Sequence, residues 1–278
     1  MTRIAILQMT SGIDPQANAR VIGAGIADAA KGRAAMLFTP EMSGLLDRDR
    51  QRAAPNIVPE AENPVLSAAR VAAHDAGIWV SLGSLAVARE SRDPTETRWA
   101  NRTFLIAPDG SIAARYDKIH MFDVQLSTGE NWRESAAYAP GEAVVTAETP
   151  IGRVGLAICY DMRFPALFEE LGQRRCDAIS IPAAFTVPTG QAHWHLLLRA
   201  RAVEASAYVI AAAQVGEHED GRRTYGHSLV VDPWGEVLLD MGGVAPGLGF
   251  ADLEPARIAD VRSQLPSLAN RREIPKSK

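Results

Sequence analysis

The sequence predicts an α/β fold, and three observations carry that expectation. Short apolar runs rich in β-formers alternate with alanine-rich stretches of helical period along the chain. Two segments, 103–114 and 228–239, resemble each other as hairpins, each placing a proline and a glycine at a tight turn between apolar strands. The likeness is either one that any two hairpins share or the trace of a pseudo-duplicated α/β sandwich. No low-complexity linker divides the chain, so a single domain over 1–278 is expected.

In chain order, the first strand is expected at 3–9, where Ile4-Ala5-Ile6-Leu7 is too short for a signal-peptide core and precedes a polar stretch. Further strands are expected at 35–38, 78–82, 102–107, 112–116, 153–158, 178–181, 208–213, 228–231, 237–240 and 249–253. Helices are expected at 18–31, 63–75, 164–172, 191–206 and 255–263, each opened by capping or proline chemistry or closed by glycine. Residues 90–98 read as a polar surface loop, and 271–278, with four basic side chains, as a flexible solvated tail.

Composition narrows the function. A 47% hydrophobic, 22% charged chain with a formal charge of −4 excludes disorder and coiled coil, and shows no electrostatic footprint for nucleic acid or an anionic membrane. No apolar run approaches the roughly 20 residues that cross a bilayer. Two cysteines cannot make a disulfide framework, so a reducing, cytoplasmic setting is expected.

The sharpest local feature is the apolar run from Arg153 to Ile158 ending in Cys159, followed by Tyr160-Asp161-Met162-Arg163-Phe164-Pro165. A thiol on such a strand-to-helix turn is presented to a cleft, with backbone N–H groups facing a developing oxyanion. Only ~3% of an unperturbed thiol is ionised at neutral pH, so Cys159 needs a base or cation beside it. Cys176, near a helix end, reads as a buried core residue. His193 and His195, two apart on a helix, point to different faces, which argues against a metal pair. His120 and His227 stay open as general bases. Glu41 and Lys118 each follow a predicted strand, where active-site groups of α/β proteins concentrate.

Taken together, these segments resemble the nitrilase superfamily of carbon–nitrogen hydrolases. Phe-Thr-Pro-Glu41-Met-Ser is similar to its glutamate motif, Asp-Lys118-Ile-His-Met-Phe-Asp to its lysine motif, and Gly-Leu-Ala-Ile-Cys159-Tyr-Asp-Met-Arg-Phe-Pro to its cysteine motif. The resemblance runs from Ile4 to Arg272. It implies a pseudo-duplicated four-layer α-β-β-α sandwich, a Glu41-Lys118-Cys159 triad, and a second glutamate sixteen residues after the lysine, which selects Glu134 over nearby Glu130. The segments 182–194 and 223–235 resemble the branches acting on deaminated glutathione or on omega-amides of 2-oxo acids.

The resemblance further implies amide hydrolysis through a Cys159 thioester, with Glu41 as general base and Lys118 and the Tyr160 N–H on the oxyanion. Glu134 would hold Lys118 in register, and Arg163, Phe185 and Thr189 would line the substrate site, Arg163 clamping a carboxylate. The Glu41 carboxyl is expected to be raised toward neutrality by burial. No metal or cofactor is implied, the partners are a small-molecule amide and water, and a homodimer or higher homo-oligomer is expected. Gln191, Ser127 and Ala100 depart from the usual pattern and bear on substrate. Other branches remain as alternatives: N-carbamoyl amine hydrolase, aliphatic amidase or nitrilase. A thiol redox sensor or a scaffold keeping the fold is the non-enzyme alternative.

Overall fold

The computed structural model describes residues 1–89, 96–127, 129 and 131–275. The first half runs β1 (Thr2–Gln8), α1 (Pro15–Lys31), β2 (Met36–Phe38), α2 (Arg50–Ala53), α3 (Pro64–Ala76), β3 (Trp79–Val87), β4 (Ala100–Ile106), β5 (Ile112–Asp117) and a small hairpin, β6 (Asp123–Gln125) with β7 (Asn131–Arg133). The second half runs β8 (Thr146–Thr149), β9 (Gly152–Leu156), α4 (Pro165–Gln173), β10 (Ala178–Ser180), α5 (Val187–Ala205) and β11 (Tyr208–Ala211). It continues through β12 (Val215–Glu217), β13 (Arg223–Tyr225), β14 (Leu229–Val231), β15 (Val237–Asp240), β16 (Gly247–Leu253), α6 (Pro255–Gln264) and α7 (Ser267–Asn270).

Two six-stranded sheets result, ordered β16-β1-β2-β3-β4-β5 and β8-β9-β10-β11-β14-β15. Each has the same pattern of directions: one antiparallel edge strand, three parallel strands, then an antiparallel hairpin. The β4–β5 and β14–β15 hairpins, the two look-alike segments of the sequence, hold equivalent places. Their turns put Gly110 and Gly235 at φ +76 and +89, where only glycine is unstrained. The duplicated sandwich is therefore real, and the chance-likeness reading of the hairpins falls away.

Period-two alternation assigns the layers. Ile4, Ile6, Met36 and Phe38 face the second sheet in one core cluster, while Ala5, Leu7 and Leu37 face α1 and α3 in another. On the far side, Leu167 and Phe168 of α4 and Trp194, Leu198 and Ala202 of α5 pack on the second sheet. The layers are thus α-β-β-α, with helices on both outer faces.

All eleven expected strands are present. Five short ones were not anticipated: β6, β7, β8, β12 and β13 span three or four residues each, too few for a period to show. Helix α5 begins at Val187 rather than 191, because Pro188 sits in its first turn and Gly190 belongs to the helix instead of ending it. A Cβ at Gly190 would overlap the Tyr225 ring, so this glycine serves close packing and not a turn. Residues 90–95 and 276–278, within the expected loop and tail, and Glu130 lie outside the described residues.

Candidate active site

Glu41 lies three residues past β2, and Cys159 three past β9, at the carboxyl ends of central parallel strands. Lys118 directly follows β5. A bulge in β3 seats the glutamate. The Gly83 N–H donates to Thr39 Oγ1 at 2.9 Å and the Met42 N–H to Ser84 Oγ at 2.9 Å, which bends the strand around the 39–43 segment. Cys159 has φ +46, an uncommon conformation for a side-chain-bearing residue, held by its N–H donating to the Pro182 carbonyl at 2.9 Å. It opens a 3₁₀ turn, Cys159–Arg163, whose second residue, Tyr160, has an N–H without an acceptor inside that turn.

The three side chains converge. Lys118 Nζ donates to Glu41 Oε1 at 2.9 Å and to Glu134 Oε2 and Oε1 at 2.9 and 3.1 Å. Glu41 also accepts from Asn101 Nδ2 and the Ala184 N–H, both at 2.9 Å, and from the Cys159 thiol. Glu134, opening a 3₁₀ turn after β7, accepts as well from Asn101 Nδ2 at 3.1 Å and the Phe122 N–H at 2.6 Å. Glu41, Lys118 and Cys159 are 5%, 2% and 8% exposed, so water screens these charges little.

Protonation follows from this packing. Burial pushes the Glu41 carboxyl up, but the Lys118 charge and hydrogen bond, with those from Cys159 and Asn101, outweigh it and hold the group below the usual carboxylate range. The expectation of a raised Glu41 is therefore corrected: it considered burial and the thiol and left out the ammonium. Burial, together with the Glu41 charge, pushes the Cys159 thiol well up against the opposing pull of Lys118. Burial would lower Lys118, yet Glu134, Glu41 and Cys159 raise it well above the usual lysine value. At rest the set is a neutral thiol bonded to an ionised carboxylate, beside an ammonium.

The cleft over this cluster is lined by Glu41, Lys118, Glu134, Cys159, Tyr160, Phe185 and Thr189, with Trp132, Tyr138 and Arg222 among its other walls. Arg163 is not among the lining residues. With three residues per 3₁₀ turn, position 163 faces about 120° away from Cys159. Its guanidinium instead lies 5.2 and 5.8 Å from the ring centroids of Phe185 and Tyr160 and contacts His193 Nδ1 at 3.3 Å. The guanidinium expected to clamp a carboxylate thus packs on two rings that themselves line the cleft.

The histidines lie elsewhere. His120 gives its Nδ1 to Asp161 at 2.7 Å and stacks on Phe164 with ring centroids 3.6 Å apart. His195 and His227 both bond Asp240, at 2.9 Å each. These three residues are the one group among those described that brings possible metal ligands together, within 4.8 Å, and none lines the cleft. Cys176 is fully buried beyond the far end of α4, its thiol pushed up to about 12 by burial, which suits a core residue and not a resolving thiol.

Two structural roles escaped the sequence reading. Asn101 bridges Glu41 and Glu134 from inside β4. Asp161, with no exposed surface, accepts from Tyr116 Oη at 2.7 Å, the Ile158 N–H at 2.9 Å and the His120 N–H at 3.0 Å. It ties the lysine-bearing segment to the cysteine turn. The signal for both was their place beside a motif.

Comparison with known proteins bears on this geometry. The carbon–nitrogen hydrolase family pattern matches residues 3–263. The deaminated glutathione amidase of Yersinia enterocolitica is 38% identical over 273 residues, covering 98% of this chain and 93% of that one. The crystal structure of the Caenorhabditis elegans NitFhit protein superposes with TM-score 0.87 at 35% identity, covering 98% of this chain and 65% of that one. A glutamate-to-glutamine mutant of an amidase from Nesterenkonia sp. AN1, with covalent addition of the acetamide moiety of fluoroacetamide at its active-site cysteine, superposes with TM-score 0.81 at 27% identity, covering 98% and 94%. Sequence pattern, whole-length relatives and shared architecture agree: the chain belongs to the carbon–nitrogen hydrolases of the nitrilase superfamily, and is an amidase by kind.

Proposed function

We propose that the protein hydrolyses the amide bond of a small carboxylated amide, deaminated glutathione or the omega-amide of a 2-oxo acid, through a thioester on Cys159. The observation that carries the reading is the buried Glu41–Lys118–Cys159 cluster opening into one cleft. As Sγ attacks the amide carbon, Glu41 takes the thiol proton. The oxyanion is met by the Tyr160 N–H and the field of Lys118, a preorganised donor being worth roughly 3 kcal/mol. When the C–N bond breaks, the proton on Glu41 passes to the departing amine. Water then attacks the thioester, Glu41 takes its proton and passes it to sulfur as the C–S bond breaks, and the acid leaves. Glu134 holds Lys118, and Phe185 and Thr189 shape the substrate site. No metal or cofactor enters this scheme.

The cleft encloses about 160 Å³. At ~10–15 Å³ per water position this is room for a metabolite and not for a folded polypeptide. The reading also takes residues 1–278 as one catalytic unit, working in the cytoplasm. Two free, buried cysteines support a reducing compartment. A homodimer or larger homo-oligomer completes it. The support is an exposed apolar strip in which Leu196 and Val203 of α5 are 67% and 40% accessible, and Trp234, Val237 and Leu238 of the β14–β15 hairpin 47%, 42% and 45%.

The discriminating experiment is a panel of deaminated glutathione, 2-oxoglutaramate, N-carbamoyl amino acids and simple nitriles. The highest kcat/KM is expected for one of the first two. A carbamoyl compound or nitrile that outruns both would overturn the substrate assignment and leave the family.

A further inference from the structure

The cleft wall carries two donors that the fold leaves unused. Among the described residues, Trp132 Nε1 and Arg222 Nε are buried without a hydrogen-bond acceptor, and both residues line the cleft. Folded proteins retain such groups sparingly, and an orphaned donor in a cleft wall points to an acceptor on the ligand. The Arg222 Cζ lies 4.6 Å from the centroid of the Trp132 ring, so the guanidinium is braced on an aromatic surface before anything binds. Among the described residues, its one salt bridge is a 3.4 Å approach of Nη2 to Asp220. Asp220 already accepts from the Arg48 and Arg222 N–H groups, at 2.9 Å each.

Charge around these donors points the same way. Arg48, Arg50 and Arg133 line the same cleft. Of the acids lining it, Glu41 and Glu134 are paired with Lys118, and Asp47 is held by Arg52 through two bonds of 2.7 and 2.8 Å. A planar guanidinium whose Nε edge is free matches a carboxylate held by two parallel bonds.

We propose that Arg222, braced on Trp132 and acting with its indole N–H, forms the subsite for a carboxylate that the amide substrate carries away from its scissile bond. The inference rests on the amidase reading and names a carboxylate subsite distinct from Arg163. It makes Arg222 a specificity residue: acidic amides gain binding there, and neutral ones do not.

The test compares deaminated glutathione with its dimethyl ester in the wild type and in Arg222→Gln, Arg222→Lys, Trp132→Phe and Arg163→Gln. Arg222→Gln is expected to raise KM for the acid by about 10–100-fold with kcat changed far less, and to erase most of the preference for acid over ester. Arg222→Lys keeps the charge without the fork and falls between, Trp132→Phe shows a smaller KM rise of the same selectivity, and Arg163→Gln disturbs the preference least. An acid-over-ester preference that survives in Arg222→Gln, or one that vanishes in Arg163→Gln instead, overturns the proposal. Calorimetry with glutarate gives a readout independent of turnover: it should bind the wild type and lose at least tenfold in affinity in Arg222→Gln, and equal binding by the two refutes the subsite. If the wild type cleaves neither compound yet glutarate discriminates, the substrate assignment fails and the subsite stands.

Discussion

In the proposed mechanism Glu41 takes the Cys159 proton, so which of the two holds it governs the pH behaviour of the site. With Lys118 beside it, the carboxylate keeps its charge and the thiol its proton. A group whose pKa is depressed on folding contributes stability above its unfolded value, 4.5 for Glu41, and loses it as pH falls through the lower folded value. Its competence as a base follows the same titration. The acid limb of kcat/KM should therefore lie below pH 4.5, with a plateau through neutrality. An acid limb near pH 6 to 7 would restore the raised carboxyl expected from burial alone and contradict the charge assignment. Glu41, Lys118 and Cys159 stood out in sequence because each sits in a short motif just after a strand. Asn101, in β4, and Asp161, inside the cysteine motif, did not, since each bonds partners from distant parts of the chain, and single-sequence spacing does not encode convergence in space.

At the scale of elements, the site depends on irregularities more than on regular strands. The β3 bulge brings the Gly83 backbone against the segment that carries Glu41, where an added Cβ would overlap the Thr39 carbonyl oxygen. Gly83→Ala is expected to destabilise the fold by about 1–3 kcal/mol or more and to lower kcat beyond what the melting shift explains. Unchanged kcat in a stably folded Gly83→Ala protein would show that the bulge does not position the glutamate. Long alternating strands and proline-opened helices could be read from sequence because their period repeats. The bulge could not, being announced by one glycine, nor could the three-residue strands of β6–β7 and β12–β13, of which β7 supplies Trp132 and Arg133 to the cleft wall. The packing of Arg163 on Phe185 and Tyr160 was hidden for a related reason: a 3₁₀ turn changes which neighbours of Cys159 share its side.

For the whole molecule, duplication explains why the architecture was so readable and the function less so. Two copies of one strand pattern, packed face to face with helices outside, bury both faces of the central strands. The hydrophobic pattern therefore states the sheets twice. The proposed catalytic residues are not duplicated: Glu41 follows the middle parallel strand of one sheet and Cys159 the first of the other, so no internal comparison reveals them. Among the described residues, none covers the apolar strip on α5 and the second hairpin. Leu196→Glu is expected to shift the protein toward monomer in light scattering coupled to gel filtration, with its melting temperature falling only where the dimer dissociates. A wild type that is monomeric at micromolar concentration would remove the oligomer from the account. The central claim is that the acyl group passes through sulfur at Cys159. Its most direct test is intact-protein and peptide mass analysis of enzyme acid-quenched during turnover of an amide substrate. The account predicts a mass gain equal to the acyl group on the peptide containing Cys159, absent from an inactive but folded Cys159→Ala. Turnover by that variant, or acyl mass on any other residue, would contradict it.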